Sequence, residues 1–189
     1  MPMHKVFIGI GSNIGNRLVH LQEAMDLLME IEDTSVCAVS SIYMTEPIGE
    51  TEQHRFYNGV LLLKTPLSPE DLRRRCKTIE QNLGRPDTYP RWSPRVIDLD
   101  ILLYDGLCLS TETLSIPHPE LPHRKFVLIP LLDIANPLHP ETGKSTRQLL
   151  QCCKDPSVLV RTKEKITIKK GGIPVKALLP VIAWSQGIN

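Results

Sequence analysis

The sequence predicts an α+β sandwich, a mostly antiparallel sheet with helices packed on it. Three observations carry this. Short runs rich in Val, Ile and aromatic residues read as strands, two longer segments keep helical apolar spacing, and the order along the chain is β-α-β-β-α-β. With joins compatible with antiparallel pairing, that order defines the ferredoxin-like arrangement.

Each element has its own warrant. Val6-Phe7-Ile8-Gly9-Ile10 is an apolar, β-favouring run that stops at Gly11. Leu18, Leu21, Ala24, Met25, Leu28 and Met29 keep helical spacing over residues 17–31, with Asn16 or Asn13 as the cap. Residues 36–43 and 56–63 read as strands. The segment 44–55 between them, holding Pro47 and Gly49, is long for a hairpin loop and is a candidate functional loop. Ser68-Pro69-Glu70-Asp71 is a helix start, with Ser as cap, Pro in the first turn and acids behind it. Leu72, Cys76, Ile79 and Leu83 carry the stripe to Gly84, the expected stop. Residues 96–104 form a strong strand, and 126–135 and 145–153 read as further helices. The main domain is set at residues 1–153, with 154–189 a basic C-terminal extension of no assigned role.

Composition narrows the function. The 189 residues carry a net charge of +1, which argues against a protein whose task is coating nucleic acid or an anionic membrane. That average is uneven: residues 1–153 hold 15 Lys/Arg against 19 Asp/Glu, and residues 154–189 hold 7 against 2. Nine of 16 prolines fall between Pro86 and Pro140, which marks that region as irregular. No apolar run approaches the roughly 20 residues of a membrane span. The first residues hold no signal-peptide pattern, so a cytoplasmic location is expected. The five cysteines have no C-x-x-C spacing, so neither a disulfide framework nor a zinc site is expected.

The chemistry concentrates in two places. Gly9-Ile10-Gly11-Ser12-Asn13-Ile14-Gly15 has neither dinucleotide-fingerprint nor Walker A spacing, and reads as a tight strand-to-helix turn. Val96-Ile97-Asp98-Leu99-Asp100-Ile101-Leu102-Leu103 is more specific. Alternation puts Ile97, Leu99, Ile101 and Leu103 on the core face and Asp98 and Asp100 on the other, roughly 6.5–7 Å apart. Such a carboxylate pair suits Mg²⁺ accompanied by substrate phosphates. Just upstream, Arg85, Arg91 and Arg95 punctuate a loop that also holds Trp92; arginine forks suit phosphate oxygens, and the aromatic could cap a substrate. Downstream, His118 and Arg124 sit in a Pro-stiffened segment. Carboxylates, arginines and a metal are what phosphoryl-type transfer requires.

These residues resemble the 6-hydroxymethyl-7,8-dihydropterin pyrophosphokinases of folate biosynthesis. The resemblance rests on Gly9-Ile10-Gly11-Ser12-Asn13, Ser40-Ser41-Ile42-Tyr43 with Thr45 and Pro47-Ile48-Gly49, and Asn58. It rests above all on Arg91-Trp92-Ser93-Pro94-Arg95-Val96-Ile97-Asp98-Leu99-Asp100-Ile101, then Pro117-His118-Pro119 with Arg124 and Phe126. The resemblance implies a ferredoxin-like fold and pyrophosphoryl transfer from ATP to the pterin alcohol, with release of AMP. It implies that Asp98 and Asp100 hold two Mg²⁺ ions, that Arg85 and Arg95 contact phosphates, and that His118 and Arg124 hold the triphosphate. Lys77 and Glu80 would lie near the nucleotide, and Ile101, Leu114 and Ser115 would line the adenine site. The pterin would meet Thr45, Pro47, Ile48 and Asn58, lie between Phe56 and Phe126, and be closed over by Trp92, with Asp98 nearby. Lys77, Asp87, Thr113 and Pro119 depart from the family pattern. A monomer without membrane or nucleic-acid partners is expected. Two rivals are a nucleotidyltransferase, which would release pyrophosphate, and a non-catalytic ligand- or RNA-binding module.

Overall fold

The computed structural model describes residues 2–47, 53–86 and 93–168. Among the described residues there are eight strands: β1 (His4–Ser12), β2 (Ser35–Val39), β3 (Tyr43–Thr45), β4 (Phe56–Thr65), β5 (Asp98–Tyr104), β6 (Leu109–Ser110), β7 (Ser115–Ile116) and β8 (Leu159–Arg161). The α-helices are α1 (Arg17–Met29), α2 (Pro69–Asn82), α3 (Lys125–Ile134) and α4 (Thr146–Cys152). The main sheet is antiparallel in the order β5-β1-β4-β3-β8, with β2 also paired to β4; β6 and β7 make a separate ribbon. This is the α+β sandwich that the pattern predicts.

Helices cover both faces of the sheet. On one face, Ile8 and Ile10 meet Leu21, Met25 and Leu28 of α1 and Leu72 and Ile79 of α2. On the other, Phe7, Leu102 and Leu103 meet Leu128 and Leu131 of α3 and Leu149 of α4. A fully buried Leu contributes on the order of 1.5–3 kcal/mol, so these two cores fix which way each strand faces. The caps follow the sequence: Asn16 accepts from Val19 N, Ser68 from Asp71 N, and Ser145 forms a reciprocal capping box with Gln148.

Two details differ from the expected pattern. The strand predicted over 36–43 is divided into β2 and β3, because at Ser40 the side chain enters the pairing: Val60 N donates to Ser40 Oγ at 2.8 Å. In β5 the pairing with β1 shifts between Phe7 and Ile8, which leaves Leu102 as an extra residue opposite no partner. Leu103, expected on the face of Ile97, Leu99 and Ile101, therefore turns with Leu102 to the α3 side.

Residues 154–168 stay on the body. β8 pairs with the open edge of β3, Ile166 is buried in the α1/α2 core, and Thr167 N donates to Gln22 Oε1 at 2.9 Å. Among the described residues no helix is long and apolar enough to cross a membrane.

Candidate active site

The site is built where β1 and β5 run side by side. Gly11 pairs with Asp98 and Gly9 with Asp100, so both carboxylates face residues without side chains. A Cβ on Gly11 would stand 3.0 Å from Asn58 Oδ1, and one on Gly9 would stand 3.4 Å from Leu102. Only Gly15 in this run has positive φ, at 59°. The glycine run is therefore part strand and part turn: Gly9 and Gly11 leave open the floor in front of the carboxylates, and Gly15 alone makes the turn.

Asp98 and Asp100 differ in electrostatic surroundings. Arg85 Nη1 donates to Asp98 Oδ1, and Arg95 Nη1 donates to Asp98 Oδ2 at 2.5 Å. Burial opposes ionisation of Asp98, but these two guanidinium groups prevail and hold its carboxyl below the usual range. Asp100 has no hydrogen bond or ion pair among the described residues. Burial, then the charge of Asp98, push its carboxyl up to about 7. A half-buried carboxylate lacking a counter-charge fits a cation site. No cluster of three or more His, Cys, Asp or Glu able to hold a metal occurs among the described residues, so further ligands would have to be phosphate and water oxygens.

Behind the pair lies Glu80, only 2% exposed. Its Oε1 accepts from Leu99 N at 2.7 Å and is 2.9 Å from Arg85 Nη1, and its Oε2 accepts from Lys77 Nζ at 2.8 Å. Burial raises the Glu80 carboxyl against the pull of Lys77 and Arg85. This buried acid ties α2, β5 and Arg85 together. Asn13 does similar work for the loops: its side chain accepts from Arg95 N at 2.7 Å and donates to Gln53 Oε1 at 3.0 Å.

Two cavities share Asp100 and His118. One, of about 180 Å³, is lined by Thr45, Pro47, Phe56, Asn58, Arg95, Asp98, Asp100, His118, Arg124 and Phe126. Asn58 Nδ2 donates to Thr45 Oγ1 at 2.8 Å, and Arg95 lies 5.6 Å from the centre of the Phe56 ring. The other, of about 330 Å³, is lined by Lys77, Asp100, Ile101, Leu114, Ser115 and His118. His118 Nδ1 accepts from Glu120 N at 3.2 Å, and burial lowers its pKa. The ring is then neutral near pH 7 with its proton on Nε2, so it serves as a hydrogen-bond donor and not as a base.

Of the residues singled out from the sequence, Ile48, Arg91 and Trp92 lie outside the described residues. Glu80 lines neither cavity; it stands behind them. Sequence reasoning missed Gly9 and Gly11 as floor residues, although Gly-x-Gly in a strand beside Asp-x-Asp is a legible signal. It also missed Gln53, Glu120 and Ser157 in the first cavity and Arg73 in the second. Ser157 lies within the C-terminal extension, residues 154–189, and no local pattern marks it.

An antiparallel α+β sandwich with a carboxylate pair and arginines beside two cavities offers the residue types that phosphoryl-transfer enzymes use. The comparisons narrow that class. Residues 7–136 match the family described as 7,8-dihydro-6-hydroxymethylpterin-pyrophosphokinase (HPPK). The chain is 38% identical over 151 residues to the 2-amino-4-hydroxy-6-hydroxymethyldihydropteridine pyrophosphokinase of Pseudomonas aeruginosa, covering 80% of this chain and 93% of that one. It is 42% identical over 143 residues to the enzyme of that name from Bacillus subtilis, covering 75% and 85%. It is 41% identical over 165 residues to folic acid synthesis protein fol1 of Schizosaccharomyces pombe, covering 87% of this chain but 22% of that one. The crystal structure of Plasmodium falciparum HPPK-DHPS wild type with pteroate shares the fold, with a TM-score of 0.63 at 16% identity over 80% of this chain and 44% of that chain. The chain thus spans under half the length of that solved chain and less than a quarter of the fungal relative. The chain belongs to the HPPK family.

Proposed function

We propose that this chain transfers the pyrophosphoryl group of ATP to the hydroxymethyl oxygen of 6-hydroxymethyl-7,8-dihydropterin in folate biosynthesis, releasing AMP. The observation that supports the reading is the carboxylate pair in the lining of the 180 Å³ cavity, Asp100 being shared with the 330 Å³ cavity; the first is read as the pterin site and the second as the nucleotide site. In this reading Asp98 and Asp100 hold two Mg²⁺ ions. When bound, the metal neutralises triphosphate charge and polarises the β-phosphoryl group.

The chain's own residues position and stabilise. Asn58 and Thr45 offer paired polar groups to the edge of the pterin, and Phe56 and Phe126 enclose its ring. Ile48 and Trp92 are assigned to the same pocket by resemblance. The hydroxymethyl oxygen attacks the β-phosphorus, the bond from that phosphorus to the oxygen of the α-phosphate breaks, and AMP leaves. Arg85 and Arg95 spread charge on the transferred group, while Lys77, Arg124 and the Nε2–H of His118 hold phosphate oxygens. The hydroxyl proton passes to water. Positioning and charge stabilisation suffice for a loose transition state. The catalytic unit is assigned to residues 1–153, acting as a cytoplasmic monomer.

The test is product analysis with ATP, Mg²⁺ and the pterin alcohol. AMP and a diphosphorylated pterin in equal amounts are expected, and Asp100→Ala should abolish both. Release of pyrophosphate, or a normal rate in Asp100→Ala, would refute the reading.

A further inference from the structure

The 180 Å³ cavity takes part of its lining from the C-terminal segment, which has no role in the proposed reaction. Residues 155–159 run from one wall of that cavity to another. At one end, Asp155 Oδ2 accepts from Lys125 N at 2.9 Å, in the first turn of α3. Lys125 stands between Arg124 and Phe126, which both line the cavity. At the other end, Leu159 pairs with Thr45 of β3, a lining residue as well. Between the two ends Ser157 itself lines the cavity, and its N donates to the second oxygen of Asp155, Oδ1, at 2.9 Å.

Four residues reach at most roughly 14 Å from Cα to Cα, so this segment limits how far β3 and the first turn of α3 can part. It does so only while both ends are held. Strand pairing holds the β3 end, and Arg161 adds to it by donating from Nε and Nη2 to Ser41 Oγ at 2.9 and 2.6 Å. The α3 end rests on Asp155, since the N-cap Arg124 makes no side-chain cap bond. Each oxygen of Asp155 has its own donor, so the carboxylate both caps the helix and ties it to the residue that lines the cavity. A ring lying between Phe56 and Phe126 feels that tie. A wall that retreats by roughly 0.5–1 Å forfeits about a quarter to a half of its dispersion contact. We propose that Asp155 is a positioning residue for the acceptor: by bridging Lys125 and Ser157 it holds the walls that carry Phe126 and Thr45 at the spacing that admits the pterin. The proposal rests on the pyrophosphokinase reading of this site and extends the acceptor pocket past residue 153. Asp155 acts through other residues, because it is not itself in the cavity lining.

The test compares Asp155→Ala with Asp155→Asn in the full chain. Asn caps a helix about as well as Asp, so Asp155→Asn should regain most of the melting temperature that Asp155→Ala loses. Its amide nitrogen cannot accept, however, so one oxygen is left for two N–H groups and the bridge is broken. Equilibrium binding is measured with Mg²⁺ for α,β-methylene-ATP, and then, at saturating analogue, for 6-hydroxymethyl-7,8-dihydropterin. In both variants pterin affinity should fall roughly fivefold, with KM for the pterin rising to match. Affinity for the analogue and kcat should stay within about twofold, because Asp98, Asp100 and Arg95 are untouched and Arg124 keeps its own bond to Glu120. Wild-type pterin affinity in Asp155→Asn at recovered stability would reduce Asp155 to a helix cap and overturn the proposal, leaving the pyrophosphokinase reading intact. An equal loss for α,β-methylene-ATP would overturn it as well. If both variants lose pterin affinity as expected but wild type forms no AMP from ATP and the pterin alcohol, the reaction assignment fails and the role of Asp155 is supported, because the binding arms need no turnover.

Discussion

Glu80→Gln removes one charge from the least accessible part of the site and should damage stability and catalysis by separable amounts. The Glu80 carboxylate makes three polar contacts, with Leu99 N at 2.7 Å, Lys77 Nζ at 2.8 Å and Arg85 Nη1 at 2.9 Å. The contacts are not equal. Lys77 is 42% exposed at its side chain and can turn to water, so its bridge contributes at most about 1 kcal/mol. Arg85 is 6% exposed and cannot turn away. It keeps Asp98 and the Ile97 carbonyl, but a neutral amide leaves the arginine charge less compensated and points an N–H₂ group at one of the two cations. Breaking one side of a buried pair costs about 3–5 kcal/mol, and the retained amide oxygen brings the expected loss to about 3 kcal/mol. At roughly 2–4 °C per kcal/mol for a chain of this size, the ligand-free melting temperature should drop by about 6–12 °C. Lys77→Ala, measured the same way, should lose no more than about 3 °C. Thermal unfolding by circular dichroism reads both. At a temperature where the variant is folded, kcat should fall more than KM rises, as the role proposed for Arg85 on charge developing during transfer requires. A Glu80→Gln melting temperature within about 2 °C of wild type, or a Lys77→Ala loss as large, would refute the claim that Glu80 braces the site.

Two further predictions rest on other contacts. Gly11→Ala places a Cβ 3.0 Å from Asn58 Oδ1, forcing that amide off its bond to Thr45; KM for the pterin should rise about five- to tenfold with ATP binding unchanged, while Gly9→Ala, at 3.4 Å from a flexible Leu102, should be mild, and equal effects from the two would refute the floor assignment. Asp155 accepts from Lys125 N at 2.9 Å and from Ser157 N at 2.9 Å, and so caps α3, whose own N-cap Arg124 makes no side-chain cap bond. Asp155→Ala should cost about 1–2 kcal/mol near pH 7. Burial opposes ionisation there, but the backbone bonds win and lower the pKa. That stabilisation is therefore present above the unfolded carboxyl value and lost as pH falls through the folded one. The melting difference between variant and wild type should narrow from pH 5 downward; a difference independent of pH would refute the charge-based cap.

What the sequence made legible is what repeats locally. The helix caps at Ser68 and Ser145 lie within four residues of the groups they satisfy, so a reader of the chain can find them. The interruption at Ser40 could not be read that way, because the atom that causes it belongs to β4, twenty residues on. Asn13 offered a cap signal that Asn16 fulfils instead; its real partners, Gln53 and Arg95, are 40 and 82 residues away. Ser157 and Ile166 are held to the body by the pairing of β8 with β3 and by the contacts of Asp155 with Lys125 and of Thr167 with Gln22, and a basic composition gave no hint of that docking.

The carboxylate pair was legible for a reason that is almost accidental. Strand alternation is a period-two rule, and one inserted residue flips every side chain beyond it to the other face. In β5 that inserted residue is Leu102, and the flip moves Leu103 away from Ile97, Leu99 and Ile101. Asp98 and Asp100 both precede it, so they stay in register opposite Gly11 and Gly9. Had the bulge fallen at Leu99, the same local sequence would have sent one carboxylate into the α1/α2 core, where an unpaired charge costs several kcal/mol. Placement of the bulge beyond the pair therefore does two things at once. It keeps both acids over the glycine floor, and it turns Leu103 to join Leu102 on α3, the helix whose first turn carries Phe126, and whose N-cap is Arg124, at the wall of the 180 Å³ cavity. The irregularity that defeats the pattern for Leu103 thus seats the element that completes the site.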